Sequence, residues 1–151
     1  MRHKRTDYGR LLSVKSDLLR RIKNLNGTLA ADLEDITLPW YEIRNEAGEG
    51  GDTTEVFIYD EIGGWFGTPV EDFVKELNGI KTSAITVRIN SPGGSLFDSV
   101  AIYNTLVQHR AKVLTGVEAL AASGPSIIAM AGDEVEMMVG SQLMIHDALG
   151  V

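Results

Sequence analysis

A stretch of small residues around one hydroxyl group, from Gly116 to Gly132, limits most strongly how this chain can fold. Alanines and glycines surround Ser123, and the apolar residues after it predict a short buried helix from Ser123 to Ala131. Ser123 then lies at the start of that helix, where backbone N–H groups lack partners and negative charge is favoured. These surroundings suit a nucleophile, because a developing oxyanion can bind such N–H groups.

A serine nucleophile also needs a base that takes its proton. His146 ends the apolar run Leu143–Ile145, which predicts a short strand, and a single domain can bring this histidine to Ser123. Taken alone, a serine among alanines is more often a packed helix-start residue, and a histidine after a strand is more often a surface residue. Ser126 is a rival nucleophile in the same helix.

A third motif, Ile89 to Ser95, reads I-N-S-P-G-G-S and lies between a predicted strand and a predicted helix. Gly93 and Gly94 allow the backbone to approach a substrate carbonyl closely, since neither has a Cβ. Alone, the Pro-Gly-Gly sequence would more often be a simple turn. Valine at Gly94 is expected to obstruct this approach and to leave a folded but inactive protein.

The motifs N-S-P-G-G, A-A-S and M-I-H, in this order and approximate spacing, resemble the Clp protease proteolytic subunit family, and most closely its phage head-maturation (prohead) protease branch. The resemblance covers about Trp40 to Val151. It implies a serine endopeptidase whose substrate peptide pairs as a strand beside the glycine loop. The roles implied for individual residues are Ser123 as nucleophile, His146 as general base, the N–H groups of Gly94 and Gly124 as oxyanion hole, and Gly93 in substrate binding.

Strands and helices alternate from Trp40 onward, which predicts right-handed crossovers and a mainly parallel sheet. The predicted strands are 40–44, 55–59 (buried), 84–89, 112–117, 134–139 and 143–146. Helices are predicted from a capping box at Thr68 to Gly79, and from a second box at Ser95 to about His109. In the second helix the residues expected to point inward are Val100, Tyr103, Leu106 and Val107. The fold class is α/β, and the resemblance makes it a ClpP/crotonase-like spiral of repeated β-α-β units.

The charge distribution separates an N-terminal segment from the rest of the chain. Residues 1 to 25 contain eight Lys or Arg and two Asp, a net charge of +6. Because the total net charge is −7, the remainder of the chain carries −13. The leucines and isoleucine of this segment fall on one helical face, which predicts a basic amphipathic helix. The predicted organisation is a basic segment 1–27, a linker 28–39, and a ClpP-like serine protease domain 40–151. We expect the basic segment to pack on a neighbour rather than to bind nucleic acid.

Composition excludes several classes of chemistry. The chain has no cysteine, which excludes a thiol nucleophile, thiolate zinc and disulfides, and fits a reducing, cytoplasmic compartment. No eighteen apolar residues run together and no signal-peptide pattern begins the chain, so neither a membrane span nor secretion is expected. Asp133, Glu134 and Glu136 are expected to form the wet face of a strand rather than a metal site, and no cofactor is predicted. Met137, Met138 and Met144 are expected to fill the core.

The acid of a catalytic triad is the missing part of the pattern. In the family that the chain resembles, this aspartate lies well beyond M-I-H, whereas the sequence here ends at Val151. Asp147 would point to the opposite face of a strand from His146. The domain is therefore expected to be C-terminally incomplete, weakly active and associating through uncovered apolar surface. Otherwise Asp98, Glu118 or Asp133 supplies the acid, or a Ser–His dyad suffices.

The resemblance also implies partners: a polypeptide substrate, further copies of the chain in a ring, and either an ATPase unfoldase or the scaffold and capsid proteins of a prohead in the host cytoplasm. Three alternatives stay open. The sequence Ala121–Gly124 also resembles the signal peptide peptidase A family, which uses a Ser–Lys dyad, although no lysine follows Lys112. A crotonase-type acyl-CoA enzyme would share the fold, and a catalytically degenerate capsid-assembly scaffold would need no triad.

Overall fold

The structure, a computed structural model, describes residues 39–45, 52–63 and 67–147. Within them one sheet contains the strands β1 (Tyr41–Asn45), β2 (Thr53–Tyr59), β3 (Ala84–Ser91), β4 (Lys112–Ala122), β5 (Glu134–Met137) and β6 (Gln142–Met144). The helices are α1 (Val70–Gly79), α2 (Leu96–Val107) and α3 (Gly124–Ala129). The strand order is β1-β2-β3-β4-β5, and β6 pairs with the end of β4. Only the β1–β2 pairing is antiparallel, so the predicted mainly parallel α/β sheet is confirmed.

Alternating burial along β2 and β3 shows that one face of the sheet carries the core. Side chains of a strand point alternately to the two faces, and the parallel register aligns the buried positions of neighbouring strands. The strand at 55–59 is thus buried on one face only, which corrects the prediction of a fully buried strand. The largest fully buried side chains come from this face and from the helices: Val56, Ile58, Ile62, Phe73, Leu77, Ile85, Val87, Ile89, Ile102, Leu106, Val117 and Ile128.

The two predicted helix starts differ in outcome. Ser95 caps α2 as predicted, because its Oγ accepts a hydrogen bond from the Asp98 N–H at 3.3 Å. The predicted cap of α1 by Thr68 is wrong: Pro69 takes the capping position, and no side chain bonds to the first turn. Proline also fixes φ near the helical value, which favours a helix start without a side-chain acceptor.

The inward face of α2 is shifted from the predicted one. Leu106 is buried and Tyr103 packs against the core, as predicted. Val100 and Val107 are exposed instead, and the buried positions include Ile102 and Ser99. The error arises because α2 is apolar over most of its surface, so that periodicity gives little contrast between its faces.

Strand β4 continues to Ala122, beyond the predicted end at Val117, and α3 is shorter than predicted. The alanines before Ser123 therefore belong to a strand that leads directly into the serine. The predicted strand 134–139 is β5, which ends at Met137, and the predicted strand 143–146 is β6, which ends at Met144. His146 thus follows a strand instead of ending one.

The three methionines predicted to fill the core are exposed, because the edge formed by β5 and β6 is uncovered by any described residue. The exposed large apolar side chains from this part of the chain are Met130, Val135, Met137, Met138, Val139, Leu143, Met144 and Ile145. Large uncovered apolar surfaces of soluble proteins are most often interaction surfaces.

By compactness the chain divides into Met1–Leu38 and Pro39–Val151. The predicted basic helix at 1–27 and nearly all of the predicted linker 28–39 lie outside the described residues and stay predictions. No helix within the described part of the chain is long and apolar enough to cross a membrane.

Candidate active site

Ser123 occupies a sharp turn between β4 and α3. Its φ is 60° and its ψ is −123°, a conformation that a residue with a side chain rarely adopts. The backbone N–H of Ser123 donates to the Met144 carbonyl at 2.8 Å, and its carbonyl accepts from the Ser126 N–H at 2.9 Å. Strained backbone of this kind costs about 1–3 kcal/mol and persists where surrounding bonds hold it, often at functional sites. The turn places the Ser123 backbone beside Met144, the last residue of β6.

The rival hydroxyl of Ser126 has a structural partner. Ser126 is buried, and its Oγ donates to the Ser123 carbonyl at 2.5 Å. This bond closes the first turn of α3 onto the strained residue. The arrangement favours Ser123 over Ser126 as the nucleophile, because the Ser126 hydroxyl supports the turn that Ser123 occupies.

The pairing of β6 with β4 brings the chain segment before His146 beside the Ser123 turn, but within the described residues the hydrogen bond of the His146 ring is to Asp147 and not to Ser123. Ala122 is opposite Met144 in that pairing, so His146 lies two residues beyond the carbonyl that binds the Ser123 N–H. The His146 ring is exposed, and its Nδ1 lies 2.6 Å from the Asp147 carbonyl oxygen. A carbonyl can only accept, so Nδ1 is the donor in this contact. In the neutral ring the free lone pair is then on Nε2, where a general base requires it.

Two of the carboxylates considered as a third triad member, Glu118 and Asp133, bind other groups. Glu118 accepts hydrogen bonds from the Tyr59 hydroxyl and the Arg88 guanidinium. Asp133 accepts from the Val113 N–H at 2.8 Å, near the start of β4. Among the described residues, the recorded partner of the His146 ring is a backbone carbonyl and not a carboxylate. The same residues contain no cluster of three or more His, Asp or Glu side chains that could hold a metal ion.

The two glycines of the loop after β3 do different things. Gly93 has φ +135°, and a Cβ added there would lie 3.4 Å from the Ser123 Cβ and 3.9 Å from its Oγ. Gly94 has φ +136°, and a Cβ there would collide with the Ile62 backbone, 2.6 Å from its nitrogen. Gly93 is therefore the glycine that faces the serine, while Gly94 packs against the Ile62 backbone, which supports the loop.

A backbone bridge between Ile62 and Gly94 fixes this loop. The Ile62 N–H donates to the Gly93 carbonyl at 2.9 Å, and the Ser95 N–H donates to the Ile62 carbonyl at 3.0 Å. These two bonds engage the Gly93 carbonyl and the Ser95 N–H, and the Gly94 N–H takes part in neither. Gly124 is the first residue of α3, so its N–H has no acceptor within the helix. Both amides predicted for the oxyanion hole are thus left available by the secondary structure around them.

Alanine at Gly94 should destabilise the fold by about 3 kcal/mol, since it combines a positive φ with a collision against backbone. This corrects the expectation that valine there merely blocks the site in a folded protein. Gly79 is the matched control, because a Cβ there meets nothing within 4 Å. Urea denaturation of both variants should show a large loss for Gly94→Ala and a change within about 1 kcal/mol for Gly79→Ala. Equal stabilities would contradict the described packing of the loop.

The face of the sheet opposite the core carries a charged network that no sequence motif indicates. Arg88 on β3 contacts Glu55 on β2 at 2.7 Å and Glu118 on β4 at 3.1 Å. Desolvation lowers the pKa of Arg88, but the hydrogen bonds and charges of the two glutamates outweigh it, and the net pKa is raised. The network links three strands just before the loops of the site. Only the strand register aligns these residues, and the sequence gives no direct signal for register.

Residues 50–151 match the sequence model of a family described as Clp protease. This chain belongs to the Clp protease family. Over 68 residues it is 43% identical to the ATP-dependent Clp protease proteolytic subunit of Ligilactobacillus salivarius, a match that covers 44% of this chain and 34% of the relative. Over 75 residues it is 46% identical to the Na(+)/H(+) antiporter NhaA of Brucella abortus, covering 44% of this chain and 10% of that protein.

Among solved structures, a ClpP1 point mutant from Listeria monocytogenes is similar with a TM-score of 0.56 and 27% identity, over 64% of this chain and 57% of that one. The ClpP protease catalytic domain from Plasmodium falciparum is similar with a TM-score of 0.53 and 26% identity, over 61% and 53% of the two chains. The predicted ClpP-like fold is confirmed. The Clp protease chain spans about a third of the Ligilactobacillus relative and just over half of the Listeria structure.

Proposed function

We propose that this chain carries the serine peptidase site of a Clp-type endopeptidase. The observation that supports it best is the strained Ser123 turn, whose N–H binds the Met144 carbonyl two residues before His146. Membership of the Clp protease family and the adjacent Gly93 agree with the same chemistry. The proposal assigns the roles of individual residues, which the family match alone does not.

In the proposed reaction Ser123 Oγ attacks the carbonyl carbon of a peptide bond, and His146 Nε2 accepts the hydroxyl proton. The negative charge that develops on the carbonyl oxygen is stabilised by the N–H groups of Gly94 and Gly124. His146 then returns the proton to the leaving amine as the C–N bond breaks, which leaves an acyl ester on Ser123. Water, deprotonated by His146, hydrolyses this ester and regenerates the free serine.

The orienting group is the weak point of this site. The Asp147 carbonyl sets the tautomer of His146 but does not carry the full charge that stabilises an imidazolium. In the template case the buried aspartate both holds the histidine tautomer and stabilises the imidazolium that forms, and a carbonyl supplies only the first of these two effects. We therefore propose that high activity requires an acid from outside the described residues. A second candidate function, a degenerate assembly scaffold, is favoured by the same observation.

Labelling with a serine-directed fluorophosphonate probe separates these two functions. The peptidase proposal expects covalent labelling of the full-length protein, with prior heat denaturation abolishing it. A folded protein that is never labelled would favour the scaffold. Binding of a CoA thioester without probe labelling would favour a crotonase-type enzyme instead.

We further propose that the substrates are polypeptides and, from the resemblance to the prohead branch, that they are scaffold and capsid proteins in the host cytoplasm. The support is the N-S-P-G-G, A-A-S and M-I-H sequence pattern alone. Co-expression with the scaffold and capsid proteins should yield fragments that depend on Ser123. If cleavage instead requires an ATPase unfoldase and ATP, the chain acts as a general Clp-type subunit.

The exposed apolar edge formed by β5 and β6 supports a homo-oligomeric form, proposed here as a ring. Changing Val135 and Met137 together to threonine should lower the weight-average mass measured by light scattering, since both side chains are 41–45% exposed and threonine preserves strand propensity. Val107→Thr is the control, because Val107 is 54% exposed at the far end of α2. A mass that stays the same in the double variant would remove this edge from the proposed interface.

A further inference from the structure

The two amides proposed to bind the oxyanion, those of Gly94 and Gly124, lie on separate segments. One buried side chain contacts both segments, at Ser95 and at Gly124. Ser99 on α2 is fully buried. Its Oγ donates to the Ser95 carbonyl at 2.8 Å, and a Cβ added to Gly124 would collide with this Oγ and lie 2.8 Å from the Ser99 Cβ. We propose that Ser99 is a positioning residue that fixes the separation of the Gly94 and Gly124 N–H groups. The inference rests on the proposed serine peptidase function.

On the side of Gly94, the contact acts through Ser95, the next residue in the chain. Ser95 is held by its N–H, which donates to the Ile62 carbonyl, and by its Oγ, which accepts from the Asp98 N–H. Its carbonyl accepts from both the N–H and the Oγ of Ser99, at 3.0 and 2.8 Å. Every polar group of Ser95 is therefore engaged. The loop that contains Gly94 cannot shift relative to α2 without breaking these bonds.

The contact between Ser99 and Gly124 is steric. The absence of a side chain at Gly124 lets the first residue of α3 lie directly against Ser99. Gly124 follows Ser123, whose carbonyl is already bonded to the N–H and Oγ of Ser126. The Gly124 peptide group is thus packed between α2 and the hydrogen-bonded first turn of α3. The size of the side chain at position 99 therefore determines how close the Gly124 peptide group lies to the loop after β3.

Serine suits this position in both size and chemistry. Alanine would remove the hydroxyl bond to Ser95 and leave a gap beneath Gly124, while a larger side chain would push Gly124 outward. A buried hydroxyl needs a hydrogen-bond partner, and the Ser95 carbonyl supplies it. Displacement of a catalytic group by about 1 Å can cost about 10²-fold in rate. Changes in either direction at Ser99 should therefore slow acylation of Ser123.

The test is a double-mutant cycle in the full-length protein, with the second-order rate constant of fluorophosphonate labelling measured per folded molecule. Gly124→Ala should label about 100-fold more slowly, because its methyl group collides with Ser99. Adding Ser99→Gly should restore at least tenfold of that loss, since it removes both colliding atoms. Ser99→Ala alone should lower kcat about tenfold on a fluorogenic peptide and leave KM unchanged.

Thr105→Val is the matched control for the hydroxyl. The Thr105 Oγ1 donates to the Ala101 carbonyl at 2.8 Å on the same helix, farther from the site. Its labelling rate should equal that of the wild type even if its melting temperature falls. If the Ser99 variants lose only melting temperature and label at the wild-type rate, or if the cycle is additive, the positioning role is wrong while the peptidase proposal stands. If the folded wild type is never labelled, the peptidase function itself fails and the positioning role with it.

Discussion

Replacing Ser123 with alanine should abolish peptidase activity, with a fall in kcat of about 10⁴- to 10⁶-fold, while the protein stays folded. The size of the loss follows from removing the proposed nucleophile of a site whose members act as one unit. The fold should survive because the Ser123 backbone, and not its side chain, makes the bonds to Met144 and Ser126. Circular dichroism and urea denaturation check the fold, and hydrolysis of a fluorogenic peptide checks the activity.

Ser126→Ala is the control for this experiment. Ser126 lies three residues away, is buried, and uses its hydroxyl to bind the Ser123 carbonyl. Its loss should cost roughly 1 kcal/mol of stability and a modest fraction of activity, because the turn that holds Ser123 loses one hydrogen bond. Full activity in Ser123→Ala combined with none in Ser126→Ala would transfer the nucleophile to Ser126.

His146→Gln should also lower kcat by about 10⁴-fold or more, because a serine without a base to take its proton is a weak nucleophile. His146 is exposed and its recorded contact is with the neighbouring Asp147 carbonyl, so the fold should change little. The rate of hydrolysis at saturating substrate measures the effect.

His109→Gln provides the matched control. His109 lies between α2 and β4, where its Nδ1 accepts from the Ala111 N–H at 3.1 Å. Burial, followed by the charge of Arg110, lowers the pKa of His109, so this ring is held in its neutral form. Its replacement should affect stability rather than kcat. Equal activities of the His146 and His109 variants would contradict the assignment of the base.

Local signals account for what the sequence predicts well. The cap at Ser95 follows from contacts within four residues, and the strand–helix alternation follows from side-chain periodicity, so both were predictable. The extension of β4 to Ala122 was not, because a run of alanines has no periodicity and suits a strand or a helix. Pairing with β6 and β3 decides it, and such pairing is a property of the whole sheet.

The candidate site shows the same division. The motifs identify Ser123, His146 and the glycines by type, but the positive φ of Ser123 depends on bonds to Met144 and Ser126. The different roles of Gly93 and Gly94 depend on Ile62, which lies about thirty residues earlier in the chain. The prediction that the methionines of β5 and β6 fill the core is wrong, because apolar character predicts burial but not the surface that buries the side chain. The surface of a partner can bury such side chains as well as the core of the same chain can.

The most direct test of the serine peptidase assignment is the position of a covalent fluorophosphonate adduct on the full-length protein. No Lys or Arg lies between Lys112 and Val151, so tryptic cleavage near the site is not useful. Cleavage after Glu118 and Glu134 gives a 119–134 product that contains both Ser123 and Ser126. Fragmentation of that peptide in the mass spectrometer then separates the two serines. We predict a single adduct on Ser123 that disappears in the His146→Gln variant. An adduct on Ser126, or a folded protein with no adduct, would contradict the assignment.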